Sequence, residues 1–248
     1  MRRIIFIAIS YIFIISISFA QEKGKLSVST EFMQIKDKIN QGLVFNGPQL
    51  SVSWHKLWSF SYFEMIYRPQ IGIGAGFTRG ITSIALSIKP ADLDFMCSVW
   101  KYGERQTLKM GINLKANYNY QVYPGLHGGH LFWFTEIGTA VAIEYKYRWD
   151  KREFSLYFAN SLFGFTSRPS PTVNSYDYSR TFGDFIKFAH QDMRFGSFNS
   201  YNHTTLQVLF NPNVSKRHSF SIGIDYLGGY YNPRFESLSY SFNWTILL

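Results

Sequence analysis

The sequence predicts an all-β protein, a transmembrane antiparallel β-barrel of about 10 strands, with 12 as the alternative, and one long outer loop. Three observations predict it. Long segments alternate apolar and polar residues with period two, which in a pleated strand sends one set of side chains to each face. Aromatic residues gather toward the ends of the apolar faces, where amphipathic rings settle at lipid–water interfaces. No segment carries a 3.6-residue apolar stripe that would supply a helix to cover a fatty sheet. Composition sets the bounds. A chain of 248 residues with 46% hydrophobic and 17% charged residues is not disordered. Its single cysteine excludes a disulfide scaffold or a thiolate metal cluster.

The first element is a secretory signal. Met1-Arg2-Arg3 is a basic start, Ile4 to Phe19 is uncharged, and Ser18 and Ala20 are the small residues that a signal peptidase requires. Residues 1–20 are therefore read as the signal peptide and 21–248 as one barrel domain. Losing Arg2 and Arg3 takes the formal charge from +9 to +7. Strands follow near 25–35, 48–58, 60–78, 81–100, 106–123, 130–149, 151–166, 200–211, 217–228 and 236–248. The pattern is plainest from Leu108, where Leu108, Met110, Ile112 and Leu114 alternate with Lys109, Gly111, Asn113 and Lys115. It recurs from Leu131 to Trp149, in Phe220 to Tyr226 and in Tyr240 to Leu248. Parity changes near Tyr62-Phe63 and at Lys89-Pro90-Ala91, where proline removes a ladder donor. If these are bulges the count stays at ten, and if they are turns it rises to twelve.

Segments such as 107–122 and 131–149 exceed the ~9 to 11 residues a strand needs to cross a bilayer. A soluble sandwich also alternates, but its strands average about 5 to 6 residues. Hydrocarbon offers no hydrogen bonds, so the strand edges must close into a ring. Short inner turns are expected at 57–59, 102–105, 150–151 and 211–213, and outer loops, most of them longer, near 36–47, 78–80, 124–129, 167–199 and 229–235. That asymmetry puts both termini in the periplasm.

Gln21 after the cut, the aromatic strands, the run Gly164-Phe165-Thr166-Ser167-Arg168-Pro169 and the alternating end from Tyr240 resemble small outer-membrane barrels of Gram-negative bacteria, of the Bacteroidota type. That family closes with Phe or Trp, and this chain ends in Leu248. The resemblance implies location in the outer membrane, not chemistry.

Candidate chemistry is sparse. A barrel of this size is nearly filled by its side chains. On the strand parity Glu136, Glu144, Lys146, Arg148, Lys109 and Lys115 point inward with Glu64, Arg68 and Asp225, and their mixed signs read as a rigidifying ion-pair network. His203 and Thr205, two apart on one face, resemble the His and Ser of outer-membrane phospholipases and lipid A deacylases. Thr205 replaces the serine, however, and the pair faces inward. His127 with His130 lacks a third ligand, and His190 with Asp192 and Asp184 lacks a second acidic pair, so no metal and no cofactor is expected. Cys97 reads as a small lipid-facing hydrophobe. The stretch from 168 to 199 is long for a loop and rich in aromatics, which reads either as a lid over the barrel mouth or as a docking surface. Its Arg168, Arg180, Lys187 and Arg194 would bind the phosphates of an anionic glycolipid such as lipopolysaccharide.

These readings give an outer-membrane protein with a structural or interaction role, an accessory subunit of an envelope complex. The alternatives are a lipid hydrolase and a narrow channel. Outer-membrane lipids and an envelope protein are the expected partners, and nucleic acid is not.

Overall fold

The computed structural model describes residues 24–37, 43–124, 130–169, 189–190, 192–214, 218–230 and 234–247. They form β1 (Lys25–Asp37), β2 (Val44–Ser59), β3 (Glu64–Tyr67), β4 (Gln70–Thr78), β5 (Ile81–Tyr102), β6 (Gln106–Tyr123), β7 (His130–Trp149), β8 (Arg152–Ser167), β9 (Arg194–Ser197), β10 (Tyr201–Asn211), β11 (His218–Gly229) and β12 (Phe235–Leu247). All neighbours are antiparallel, and β1 pairs with both β12 and β2, so the sheet closes on itself.

Twelve segments make ten staves. β3 and β4 both lie between β2 and β5 and are one stave interrupted at Arg68–Pro69. β9 pairs with Phe163–Thr166 of β8, directly beyond the stretch that β10 holds, and so extends the line of β10. Following the register once around the ring from Ser59 leads through Met96, Ala142, Asp225 and Met33 back to β2 at Gly47, twelve residues from the start. A stagger of that size over ten staves corresponds to a strand tilt of about 40°, within the usual range for closed barrels.

The ten expected strands are all present, with two corrections of detail. Residues 60–63 are the turn between β2 and β3, closed by Phe60 N–H to Phe63 O at 2.9 Å, and 57–59, expected as that turn, belong to β2. The parity change at Lys89–Pro90 is a bulge, because β5 runs unbroken from Ile81 to Tyr102 with a register shift between Ile88 and Ala91. The two prolines meet here. Pro69 interrupts one stave beside the bulge at Pro90 in the next, and the remaining donors are used locally, Arg68 N–H to Asp92 O at 2.8 Å and Tyr67 Oη to Pro90 O at 2.8 Å. The hairpin between β4 and β5 needs only Arg79 and Gly80, both at positive φ, the backbone that a two-residue antiparallel turn demands.

Outward faces carry Met110, Ile112, Leu114, Leu156, Phe158, Ile222, Ile224 and Phe242, all exposed large hydrophobics. At the end of the barrel where the chain termini lie, Trp100 stacks on Tyr102, Phe60 on Phe63 and His218 on Trp244, and Trp149 stands exposed, which makes one aromatic girdle. Cys97 is on this outward surface, as expected.

Candidate functional site

The lumen is built in three levels. At the end away from the termini it is closed by apolar side chains: Met33 and Ile35 of β1, Phe134 of β7, Leu227 of β11 and Phe235 of β12, all buried. Phe134 and Phe235 stack with centroids 4.4 Å apart, and Phe45 and Tyr123 meet at 4.8 Å. Tyr201 joins this plug through two glycines. Gly138 of β7 and Gly164 of β8 are direct partners, and a Cβ on either would lie 2.8–2.9 Å from the Tyr201 ring or hydroxyl. The missing side chains are the slot in which the ring lies, with its hydroxyl donating to Glu136.

Below the plug lies a charged layer. His203 Nδ1 is 2.6 Å from Glu136 Oε1, and its Nε2 is 2.9 Å from Asp225 Oδ1. Thr205 donates to Asp225 Oδ1 at 2.6 Å and accepts from Lys115 at 2.9 Å, while Lys89 pairs with Asp225 at 3.6 Å. A second group is held by Arg68, which the break at Pro69 leaves pointing inward. Its guanidinium reaches Asp94 at 2.5 Å and Asp92 at 3.4 Å, Asn113 donates to both carboxylates, and Tyr157 donates to Asp94 at 2.9 Å. Asp94 is fully buried, so its charge is tolerable only because these partners surround it.

The third level opens at the terminus end. A cavity of about 280 Å³ is bounded on one side by small hydroxyl side chains and on the other by Arg68, Lys115, Glu144 and Lys146. Nearer its rim Lys109 pairs with Glu64, Lys146 with Glu144 at 3.3 Å and Arg148 with Glu153 at 3.0 Å.

The six expected network residues therefore face inward but do not form one network. Glu136 and Lys115 belong to the His203 layer, and Lys109, Glu144, Lys146 and Arg148 form separate pairs toward the rim. Asp92, Asp94, Asn113 and Lys89 were not singled out in sequence. The bulge at Pro90 turns the two aspartates inward, and a shift in parity inside a strand hides that. His203 and Thr205 do share the lumen, yet the imidazole has a carboxylate on each nitrogen and the hydroxyl donates to Asp225, so they do not meet as base and nucleophile.

Of the long connection, residues 189 and 190 have a defined place. Ala189 is buried against Tyr120 and Trp133, which face outward on β6 and β7, and Tyr118 Oη lies 2.9 Å from His190 Nε2. That portion lies on the outside wall of the barrel, not across its mouth. Of the four expected binding cations, Arg168 sits over the Phe235 ring at 5.6 Å and Arg194 is exposed on β9. Arg180 and Lys187 lie outside the described residues, as do Asp184 and His127. Asp192 is exposed.

No family model and no curated protein matches this sequence. Solved structures do match. The outer membrane protease OmpT from Escherichia coli, 7% identical, superimposes with a TM-score of 0.54 over 92% of this chain and 97% of its own. The translocator domain of the autotransporter NalP from Neisseria meningitidis, 5% identical, gives 0.45 over 93% and 90%. The β domain of the Bordetella autotransporter BrkA, 10% identical, gives 0.38 over 91% and 99%. The likeness to OmpT shows that the fold is an outer-membrane β-barrel, and it shows nothing of activity.

Proposed function

We propose that this chain resides in the outer membrane of a Gram-negative bacterium of the Bacteroidota kind, with both termini periplasmic, and serves there as a structural or interaction protein, an accessory subunit of an envelope complex. The observation that carries the reading is the closed lumen. Transport needs a continuous wet path, and among the described residues the Phe134–Phe235 plug above a cross-braced charged layer leaves none. Lipid hydrolysis needs a nucleophile that lipid can reach, and Thr205 is engaged inside the barrel. What remains available is surface. The orientation is supported by the connections, since 60–63, 103–105 and 150–151 at the terminus end are short, whereas 168–193 at the other is long.

Arg168, Arg180, Lys187 and Arg194 are the residues assigned to contact with lipopolysaccharide phosphates, and the 170–198 segment is assigned to the protein partner. A mild-detergent pull-down from native membranes tests the reading. It should recover a second envelope protein that is lost on deleting residues 170–198. Single-channel current steps from the unmodified protein in a planar bilayer would overturn it in favour of the channel.

A further inference from the structure

We infer that the cavity at the terminus end of the lumen is a binding site for one hexose-sized neutral polyol, a free sugar or the terminal residue of a glycan. The space is built in. A ten-stave barrel is narrow enough for side chains to fill, as they do at the plug and in the charged layer. On β11, β12 and β1, however, most of the inward row is short, Ser221, Ser239, Ser241, Asn243, Thr245 and Ser27, with Asp225, Glu31 and Lys25 as its charged members, and the short side chains leave the 280 Å³ open. Ligand pockets begin at about 300 Å³, so the cavity suits a single ring.

The lining selects the chemistry. Hydroxyls both donate and accept, and the cations and carboxylates set among them carry both signs, so a ligand of one charge sign meets repulsion as well as attraction whereas a neutral polyol finds partners throughout. A ligand bearing several hydroxyls can donate to the carboxylates of the lining and accept in turn from its serines and lysines. The far end is sealed, so such a ligand enters and leaves by one mouth. The site is therefore one of retention, independent of which protein the barrel docks.

The test uses the full mature protein in a zwitterionic detergent without sugar headgroups. Saturation-transfer NMR with N-acetylglucosamine should show millimolar binding. A folded Ser221→Phe/Ser241→Phe variant, which fills the cavity, should lose at least about tenfold in affinity. Should that variant fail to fold, Ser241→Cys in a Cys97→Ala background, capped with a bulky maleimide after folding, must show the same loss. Stronger binding of N-acetylchitotriose than of the monosaccharide assigns a glycan end, and equal binding assigns a free sugar. No transfer to either sugar, undiminished transfer in the filled protein, or binding of glycine betaine or inorganic phosphate in their place overturns the inference.

Discussion

At the scale of single residues, the lumen is stabilised by pairs whose halves are worth more together than apart. Arg68 is the clearest case, because it neutralises Asp94, which has no exposure to solvent, and also stacks over the Tyr157 ring at 5.2 Å. Arg68→Ala strands that carboxylate, a change that in buried pairs costs about 3–5 kcal/mol. Arg68→Ala/Asp94→Ala removes the orphaned charge as well and should recover a large part of the loss. The readout is the temperature at which the folded, fast-migrating band disappears on a gel, and an additive double variant would show the two residues to be uncoupled. Tyr201 is constrained by space more than by charge. Gly138→Val drives two methyls into its hydroxyl and should lower that temperature by more than Tyr201→Phe, which removes one hydrogen bond to Glu136, about 1–3 kcal/mol with the buried acceptor left short of a donor.

At the scale of elements, the bulge in β5 decides which way two carboxylates point. Upstream of it Ser83, Ala85 and Ser87 are buried in the lumen, and downstream Asp94 and Met96 are. Deleting Pro90 removes the one extra residue, so a regular strand still points Asp92 and Asp94 into the lumen and Leu93 and Phe95 toward lipid. The expected outcome is a chain that still yields a heat-modifiable band in lipid vesicles. Loss of that band would show that the bulge itself, and not only the parity it sets, is needed to seat Arg68 between the two carboxylates. This element also marks the limit of what sequence pattern reveals. Strands with strict alternation, such as β6, were legible from end to end, because the lumen is polar and the outer surface is not. The irregular places were not, since a bulge and a turn look alike when all that is seen is a change of parity. For the same reason the Arg68–Asp92–Asp94 group went unseen, while Glu136, Lys115 and His203, on regular stretches, could be placed facing inward. Their division into separate clusters depends on stagger around the ring, which no single strand records.

At the scale of the whole molecule, the closed plug and the girdle make two predictions. Phe134→Ala/Phe235→Ala removes only the stacked cap, and because the charged layer beneath still fills the lumen, the variant should give no single-channel currents in planar bilayers; steady current steps would show that the plug alone is the seal. The second concerns depth. Trp54, Trp100, Trp149 and Trp244 are exposed on the outer wall, in the half nearest the termini. Bromine placed high on lipid acyl chains should therefore quench tryptophan fluorescence more than bromine near the bilayer centre, and the reverse order would move the girdle off the interface.

The interrupted stave bears on how the wall comes apart. Most staves are stitched to their neighbours along their length, but between β2 and β5 the stitching pauses at Arg68–Pro69 and again across the way at Pro90. Backbone amides flanking this gap should trade hydrogen for deuterium sooner than those at the same depth in β6 or β7. A cylinder gives way first where its seam is loose, and Arg68 clasps this one from within.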